Sequence, residues 1–225
     1  LVNAPTGCGK TFSVFLGTLI RFINQHPTDY KSKSKNGLQL LWITPLRALA
    51  KDIGRAMEEV ITELNMNWSI GIRNGDTTTA ERAKQKKQLP EVLIITPESL
   101  HLFLAQKNYA EALKTVQVIA VDEWHELMGS KRGVQVELAI SRIVGSRKPI
   151  ADSLSISQLK TNDHRLCIWG ISATIGNLSD AKEVLLSPLG EEGVIVKANI
   201  KKQITVESVL PDEIENYPWA GHLGI

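Results

Sequence analysis

Short runs of consecutive hydrophobic residues alternate along this chain with longer segments in which hydrophobic residues recur every three or four positions. The short runs have the length of buried strands, and the longer segments have the period of amphipathic helices. The predicted strands cover residues 38–44, 68–73, 92–96, 116–121 and 166–172, with further strands near residues 194 and 205. The predicted helices cover residues 11–25, 46–65, 78–88, 97–106, 134–144 and 179–186. This alternation predicts an α/β fold with a mainly parallel sheet and helices on both faces.

The composition narrows the class of protein without indicating a function. With 225 residues, 43% of them hydrophobic, the chain can bury one sizeable core, and its net charge of +2 is too small to indicate a nucleic-acid partner. No apolar run is long enough to span a membrane, and the first residues do not resemble a signal peptide. Cys8 lies in a glycine-rich loop and Cys167 in a predicted strand. We therefore expect no disulfide, a reducing compartment and a cytoplasmic location.

A glycine-rich segment near residue 4 ends in Gly-Lys-Thr and leads into the first predicted helix. Its glycines permit positive φ and close backbone approach, so successive N–H groups can surround a phosphate at a helix start. Lys10 would then contact the β- and γ-phosphates of ATP, and the Thr11 hydroxyl would bind Mg²⁺. Ala4 replaces the first glycine of the usual pattern, and an ordinary glycine-rich turn is the alternative. The predicted phosphate-binding residues are Ala4, Pro5, Thr6, Gly7, Cys8, Gly9, Lys10 and Thr11.

Two carboxylates, Asp122 and Glu123, directly follow a predicted buried strand. Because parallel sheets bind ligands at the carboxyl ends of their strands, we expect these carboxylates and the phosphate loop to meet. Asp122 would hold Mg²⁺, and Glu123 would orient and deprotonate the attacking water. A zinc site on His125 is excluded because Gly129 stands where a second histidine would be needed. The alternative is an ordinary acidic helix start, which the phosphate loop makes less favoured.

Two hydroxyl residues, Ser172 and Thr174, follow another predicted buried strand. Their side chains could hydrogen-bond the segment around His125 and so report on the γ-phosphate. We therefore assign His125, Ser172 and Thr174 to coupling between the nucleotide and the rest of the protein.

Taken in order, these segments resemble the motifs of the first RecA-like P-loop domain of superfamily 2 DExH-box helicases. The resemblance is carried by residues 4–11 for motif I, 44–49 for motif Ia, 74–77 for the glycine-containing element after it, 96–100 for motif Ib, 122–125 for motif II and 172–174 for motif III. Residues 122–127, 129–133 and 217–224 are similar, more narrowly, to Lhr-like helicases, above all the bacterial ligase-associated DEXH-box type implicated in DNA repair.

The resemblance implies an ATP-dependent helicase or translocase that uses Mg²⁺ and moves along single-stranded DNA. It also implies a second RecA-like domain in a longer chain, and DNA-repair partners such as a DNA ligase. Residues 1–208 would form the first domain, truncated before motif I, and residues 209–225 a linker to the second. Alone, such a chain is expected to bind ATP weakly and to be nearly inactive. The residues implied to contact the nucleic acid are Arg47, Gly75, Asp76, Thr77, Thr96, Pro97 and Glu98.

Three alternatives stay open at this stage. Motifs I to III do not separate DNA from RNA, so the first is a DExH-box RNA helicase. The second is a nucleic-acid-binding module with a degenerate ATP site, which is less favoured because Lys10, Thr11, Asp122 and Glu123 are intact. The third is a GTP-dependent switch, which would need an Asn-Lys-x-Asp motif that the sequence lacks. No chemistry is assigned to the polar connection 146–165.

Overall fold

One parallel sheet of seven strands organises the computed structural model, which describes residues 1–147, 166–173, 175–190 and 193–199. The strand order is β3-β4-β2-β5-β6-β1-β7, and every recorded strand pair is parallel. The predicted α/β fold is therefore confirmed. The strands are β1 (Val2–Asn3), β2 (Leu40–Ile43), β3 (Ile70–Arg73), β4 (Val92–Ile95), β5 (Val118–Val121), β6 (Cys167–Ser172) and β7 (Val196–Lys197).

The helices agree with the predicted pattern for the long segments and differ for the short ones. Two short helices, α5 and α6, were not predicted, and the helix predicted at 134–144 is longer at both ends. The helices are α1 (Lys10–Gln25), α2 (Arg47–Glu63), α3 (Thr79–Lys87), α4 (Pro97–Leu104), α5 (Tyr109–Leu113), α6 (Trp124–Leu127), α7 (Lys131–Arg147) and α8 (Leu178–Leu186), with a 3₁₀ turn at Ser187–Leu189.

Several predictions fall outside the described residues. These are the strand near residue 205, the role of Thr174, the connection from residue 148 to 165, the end of the first domain at 208, and the linker 209–225.

Hydrophobic layers cover both faces of the sheet, which explains why the strands are continuous hydrophobic runs. Successive strand residues alternate between the layers. Leu40 and Trp42 of β2 pack with helices α1 and α2, whereas Leu41 and Ile43 pack with α4, α6, α7 and α8. Each layer therefore fixes one face of the same strands, and the strand ends are held in a common register.

The register places three chemistry-bearing segments at one edge. Val121 of β5 is level with Gly170 of β6, and Asn3 of β1 is level with Ser172. The segments that follow β1, β5 and β6 therefore emerge side by side. Among the described residues, no helix is long and apolar enough to cross a membrane.

Candidate nucleotide site and nucleic-acid face

Hydrogen bonds between strand ends fix the relative positions of the candidate nucleotide-binding segments. The Ala4 amide donates to the Ser172 carbonyl at 3.1 Å, and the Asn3 side-chain amide donates to the Ala173 carbonyl at 3.0 Å. The Asp122 amide donates to the Ile43 carbonyl at 2.8 Å. The phosphate loop and the segment after β5 are thus each tied to a neighbouring strand, with β6 between them.

The predicted phosphate loop leads directly into α1. Gly7 and Gly9 have φ of 76° and 74°, and an added Cβ at either would meet no atom within 4 Å. Backbone conformation, not crowding, is therefore the reason for glycine, and the space above the loop is open. The first recorded turn of α1 is closed by the Ser13 amide, and Gly9 provides no side-chain cap. Among the described residues, the N–H groups of Lys10, Thr11 and Phe12, at the start of the helix, have no recorded backbone partner and are available to an anion.

Lys10 is folded into its own loop and is only 9% exposed. Its ammonium group donates hydrogen bonds to the carbonyls of Ala4 at 2.7 Å and Pro5 at 2.9 Å. The cation is therefore already held inside the loop. A phosphate bound there would replace neutral carbonyl partners with charged oxygens, which form stronger hydrogen bonds.

Asp122 is 5% exposed, and among the described residues it takes part in no recorded ion pair. Its Oδ1 accepts a hydrogen bond from the Glu123 amide at 3.0 Å. Burial raises the pKa of Asp122 to about 6, and the charge of Glu123 acts in the same direction, against the Glu123 amide and Lys10. The carboxylate of Asp122 and the hydroxyl of Thr11, which follow neighbouring parts of one sheet edge, are oxygen donors of the kind that Mg²⁺ prefers.

Glu123 has a backbone conformation that is unusual for its residue type. Its φ and ψ are both 46°, in the left-handed region, which costs about 1–3 kcal/mol outside glycine. Its Oε2 is buried and has no hydrogen-bond partner, although His125 Nδ1 lies 3.4 Å away. The turn therefore holds an acceptor atom ready for a ligand such as water.

The expected contact between the segments after β5 and β6 is present. The hydroxyl of Ser172 and Nδ1 of His125 share a hydrogen bond of 3.0 Å, whose direction depends on the imidazole tautomer. The other ring nitrogen lies 3.6 Å from Glu126. A single nitrogen of His125 thus contacts both Ser172 and the carboxylate of Glu123. The coupling role of these residues stays a prediction.

The loop 74–77, on the predicted nucleic-acid face, is held by its own side chains. The hydroxyl of Thr77 accepts from the Asn74 amide at 2.9 Å and donates to the Ile72 carbonyl at 3.2 Å. The Asp76 amide donates to the Asn74 side chain at 2.9 Å. Arg82 adds two hydrogen bonds, from Nε to the Thr77 carbonyl at 3.1 Å and from Nη2 to the Asn74 carbonyl at 2.9 Å.

Arg47 begins α2, a position where a cation opposes the helix dipole unless an anion is near. That anion is Asp76, whose Oδ1 lies 3.5 Å from Arg47 Nη1. The guanidinium lies close over Gly75, where an added Cβ would come within 2.8 Å of it. Both charged side chains remain more than half exposed.

The segment at the start of α4 is more buried. Thr96 is 2% exposed and Pro97 is also buried, so a contact from either would come mainly from the main chain. Glu98 accepts hydrogen bonds from Arg132, at 2.6 Å from Nε and 3.4 Å from Nη2. Partial burial acts to raise the pKa of Glu98, but the hydrogen bonds and charge of Arg132 hold it below its usual value.

Sequence reasoning gave no supporting role to four residues that hold these sites in place. Asn3 joins β1 to Ala173, and the indole N–H of Trp124 donates to the Ala181 carbonyl at 2.9 Å. Arg82 and Arg132 hold the two loops described above. Of the four, only Arg82 lies in a segment whose structure the sequence could indicate. It belongs to α3, and the capping box formed by Thr78 and Glu81 fixes the start of that helix.

Comparisons with known proteins relate this chain to helicases. Residues 1–181 match the model of the DEAD/DEAH box helicase family. The chain is 33% identical over 217 residues to the ATP-dependent helicase Lhr-Core of Sulfolobus acidocaldarius, covering 94% of this chain and 23% of that protein. It is 35% identical over 196 residues to the Lhr helicase/uracil glycosylase of Escherichia coli, covering 82% of this chain and 12% of that protein.

A solved structure, the Mycobacterium smegmatis helicase Lhr bound to ssDNA and AMP-PNP, superposes with a TM-score of 0.68 at 28% identity. The superposition covers 89% of this chain and 24% of that one, so the chain spans about a quarter or less of these relatives. The parallel sheet, the loop at its edge and the family match over 1–181 together show that this chain belongs to the DEAD/DEAH box helicase family.

Proposed function

We propose that this chain is the ATP-binding motor domain of an Lhr-like, ATP-dependent DNA helicase or translocase. The observation that carries the proposal is the geometry around Glu123. Its carboxylate oxygen Oε2 is buried and makes no hydrogen bond within the described part of the chain, and its segment follows β5 at the same edge of the sheet as the phosphate loop. A general base needs such an acceptor within reach of the water that it activates.

In the proposed site, the loop residues Gly7 to Thr11 hold the phosphates of ATP. Their backbone N–H groups and the ammonium group of Lys10 supply hydrogen bonds and positive charge. Asp122 and the hydroxyl of Thr11 hold Mg²⁺, which would neutralise phosphate charge when bound. Glu123 orients the attacking water and accepts its proton.

Coupling is assigned to His125, Ser172 and Thr174. The hydrogen bond between Ser172 and His125 supports this role, because His125 also lies 3.4 Å from Glu123. A change in the charge around Glu123 would therefore alter the hydrogen bond between His125 and Ser172 at the end of β6. That strand end is bonded to the phosphate loop through the Ala4 amide.

Single-stranded DNA is the proposed track, over Arg47, Gly75, Asp76, Thr77, Thr96, Pro97 and Glu98. Contacts from hydroxyls, backbone N–H groups and arginine position a strand without reading its sequence. The Lhr structure solved with ssDNA supports DNA over RNA. The greater length of the relatives supports a second RecA-like domain beyond this one. A cytoplasmic location, DNA repair and a ligase partner belong to the proposal through the Lhr-like resemblance and the presence of only two cysteines.

The deciding experiment is an ATPase assay on the full-length protein with matched single-stranded DNA and RNA oligonucleotides. We expect DNA to stimulate turnover more than RNA does. Equal or greater stimulation by RNA would favour an RNA helicase, and ATP hydrolysis without any response to either polymer would contradict the motor function. Residues 1–225 assayed alone are expected to turn over ATP very slowly, because the catalytic arginine of a second domain is worth roughly 10³–10⁵ in rate.

A further inference from the structure

We propose that Arg132 is a positioning residue that ties two segments of the nucleic-acid face together and joins them to the segment that carries Glu123. The inference rests on the proposed function, because it concerns how that face is held. It also assigns Glu98 the role of an anchor for Arg132 instead of a contact to phosphate.

The contacts of Arg132 are those of a bridge. Its Nε donates to Glu98 Oε1 at 2.6 Å, and its Nη2 donates to the Pro45 carbonyl at 2.8 Å and lies 3.4 Å from Glu98 Oε2. Pro45 follows β2 and Glu98 follows β4, and these strands are neighbours in the sheet. The planar guanidinium, with donors in a fixed fork, can fix the spacing between the two segments in a way that a lysine cannot.

The backbone around Arg132 is closely packed, so its position is well determined. A Cβ on Gly133 would lie 2.1 Å from the Leu127 carbonyl oxygen. The Ser130 hydroxyl donates to that carbonyl at 2.6 Å and accepts from the Gly133 amide at 3.2 Å. The turn between α6 and α7 therefore admits only glycine at residue 133 and holds the start of α7 against the end of α6.

The same turn connects Arg132 to the candidate catalytic segment. Helix α6 begins at Trp124, directly after Glu123, and is anchored by the buried indole and by Leu127. Between Glu123 and Arg132 lie only this short helix and the tight turn. A shift of the helix would consequently move the guanidinium and, through it, Pro45 and Glu98.

Charge explains why the pair matters on this face. A free carboxylate at residue 98 would repel the phosphates of a bound strand, and Arg132 neutralises it. Lys131, the preceding residue, is exposed, and in the described part of the chain its side chain has no recorded ion pair or hydrogen bond. Lys131 is thus a matched control that removes a charge without removing the bridge.

The test is single-stranded DNA affinity of the full-length protein over a range of salt concentrations, for Glu98→Gln, Arg132→Ala, Arg132→Lys, the Glu98→Gln/Arg132→Ala double variant and Lys131→Ala. We expect Glu98→Gln to weaken binding about fivefold, although it removes a negative charge. Arg132→Ala should weaken binding by at least as much, and the double variant no further. Arg132→Lys should keep the salt dependence but not the affinity. Lys131→Ala, which removes a charge but no contact of the bridge, should bind with near wild-type affinity.

Two further measurements separate positioning from general damage. Nucleotide affinity without DNA and melting temperature report damage outside the face, and in Glu98→Gln both should change by less than the DNA affinity does. The bridge is contradicted if Glu98→Gln binds DNA as well as or better than wild type. It is also contradicted if the losses of the two single variants add up in the double variant. Neither result contradicts the proposed motor function. If the wild-type protein binds no single-stranded nucleic acid, the proposed function itself fails, and the bridge with it.

Discussion

The candidate nucleotide site and the proposed nucleic-acid face differ in how their charged groups are paired. At the candidate nucleotide site, and among the described residues, Asp122 is buried without a recorded ion pair and Glu123 Oε2 is buried without a hydrogen bond. On the nucleic-acid face, Arg47 is paired with Asp76, and Arg132 with Glu98. Two carboxylates at the first site therefore keep the capacity to bind a ligand, whereas the charged side chains of the second hold each other in position.

The difference has energetic consequences. Electrostatic interactions gain strength away from water, whereas exposed ion pairs contribute about 0–1 kcal/mol. Asp122 is 5% exposed, whereas the side chains of Arg47 and Asp76 are 55% and 70% exposed. Substitutions at the nucleotide site should therefore have larger effects than those on the face.

The largest effect is expected from Glu123→Gln. The amide keeps the shape of the side chain but cannot accept a proton, so ATP turnover in the full-length protein should fall about 10²–10⁴-fold with little change in nucleotide affinity. Steady-state ATPase and nucleotide titration measure the two quantities. Glu126→Gln, which changes an exposed carboxylate 3.6 Å from His125, is the control and should turn over near the normal rate. Normal turnover in Glu123→Gln would show that Glu123 is not the base.

Asp122 should make stability fall with rising pH. Its pKa of about 6 in the folded protein exceeds its ordinary value of 3.8, so the folded state binds this proton more tightly than the unfolded state. Stability from this group is therefore fully present below about pH 4 and is lost as pH rises to about 6 and above. In EDTA without nucleotide, Asp122→Asn should be up to about 3 kcal/mol more stable than wild type at neutral pH.

Urea unfolding at several pH values between about 4 and 7 measures this stability difference. Asp180→Asn, at an exposed position in the first turn of α8, should not show it. Parallel pH curves for Asp122→Asn and wild type would mean that Asp122 is hydrated or neutralised in the folded protein.

Lys10→Ala should weaken nucleotide binding about ten- to hundredfold, because hydrogen bonds to charged groups contribute about 1.5–3 kcal/mol. The variant also removes the two hydrogen bonds that close the loop on itself. A fluorescent nucleotide titration measures the affinity. Lys107→Ala, an exposed lysine beyond the end of α4, should bind normally. Unchanged affinity in Lys10→Ala would remove the phosphate-loop assignment.

Ser172→Ala should lower the DNA unwound per ATP hydrolysed about three- to tenfold and spare ATP hydrolysis itself, because the hydrogen bond to His125 is lost. Adding Thr174→Ala should lower the amount of DNA unwound per ATP still further. Parallel strand-displacement and ATPase assays give the ratio, and Ser187→Ala, at an exposed hydroxyl, is the control. Equal loss of both activities would indicate a collapsed site and a structural role for Ser172.

The smallest effects are expected at the exposed pair of the nucleic-acid face. Arg47→Ala should weaken single-stranded DNA binding a few-fold and lower its salt slope by about one. Asp76→Asn should leave binding unchanged or strengthen it, because a charge that repels phosphate is removed. Arg55→Ala, which changes an exposed residue further along α2, serves as the control. A large loss in Asp76→Asn would show that this pair also acts as a bridge, and the two pairs would then no longer differ.

The sequence alone was enough to predict the parallel sheet and to name the residues of the candidate nucleotide site, which stay a prediction. Residues 40–43 and 118–121 lie inside uninterrupted hydrophobic runs because helices cover both sides of each strand. The phosphate loop and the pair Asp122-Glu123 could be found because their chemistry depends on neighbours in the chain. Helix α5 could not be found, because its five residues bury only Leu113 and show no helical period.

Tertiary structure alone decided the strand order and the partners of the supporting residues. The insertion of β1 between β6 and β7 depends on the path of the whole chain. Arg82, Arg132 and Trp124 end on backbone carbonyls, which every residue possesses, so nothing in their sequence surroundings indicates which carbonyl they reach. The spacing of hydrophobic residues along a segment indicates which of its sides are buried, and this spacing is a local property of the sequence. The identity of a distant partner is fixed only when packing brings the two segments together.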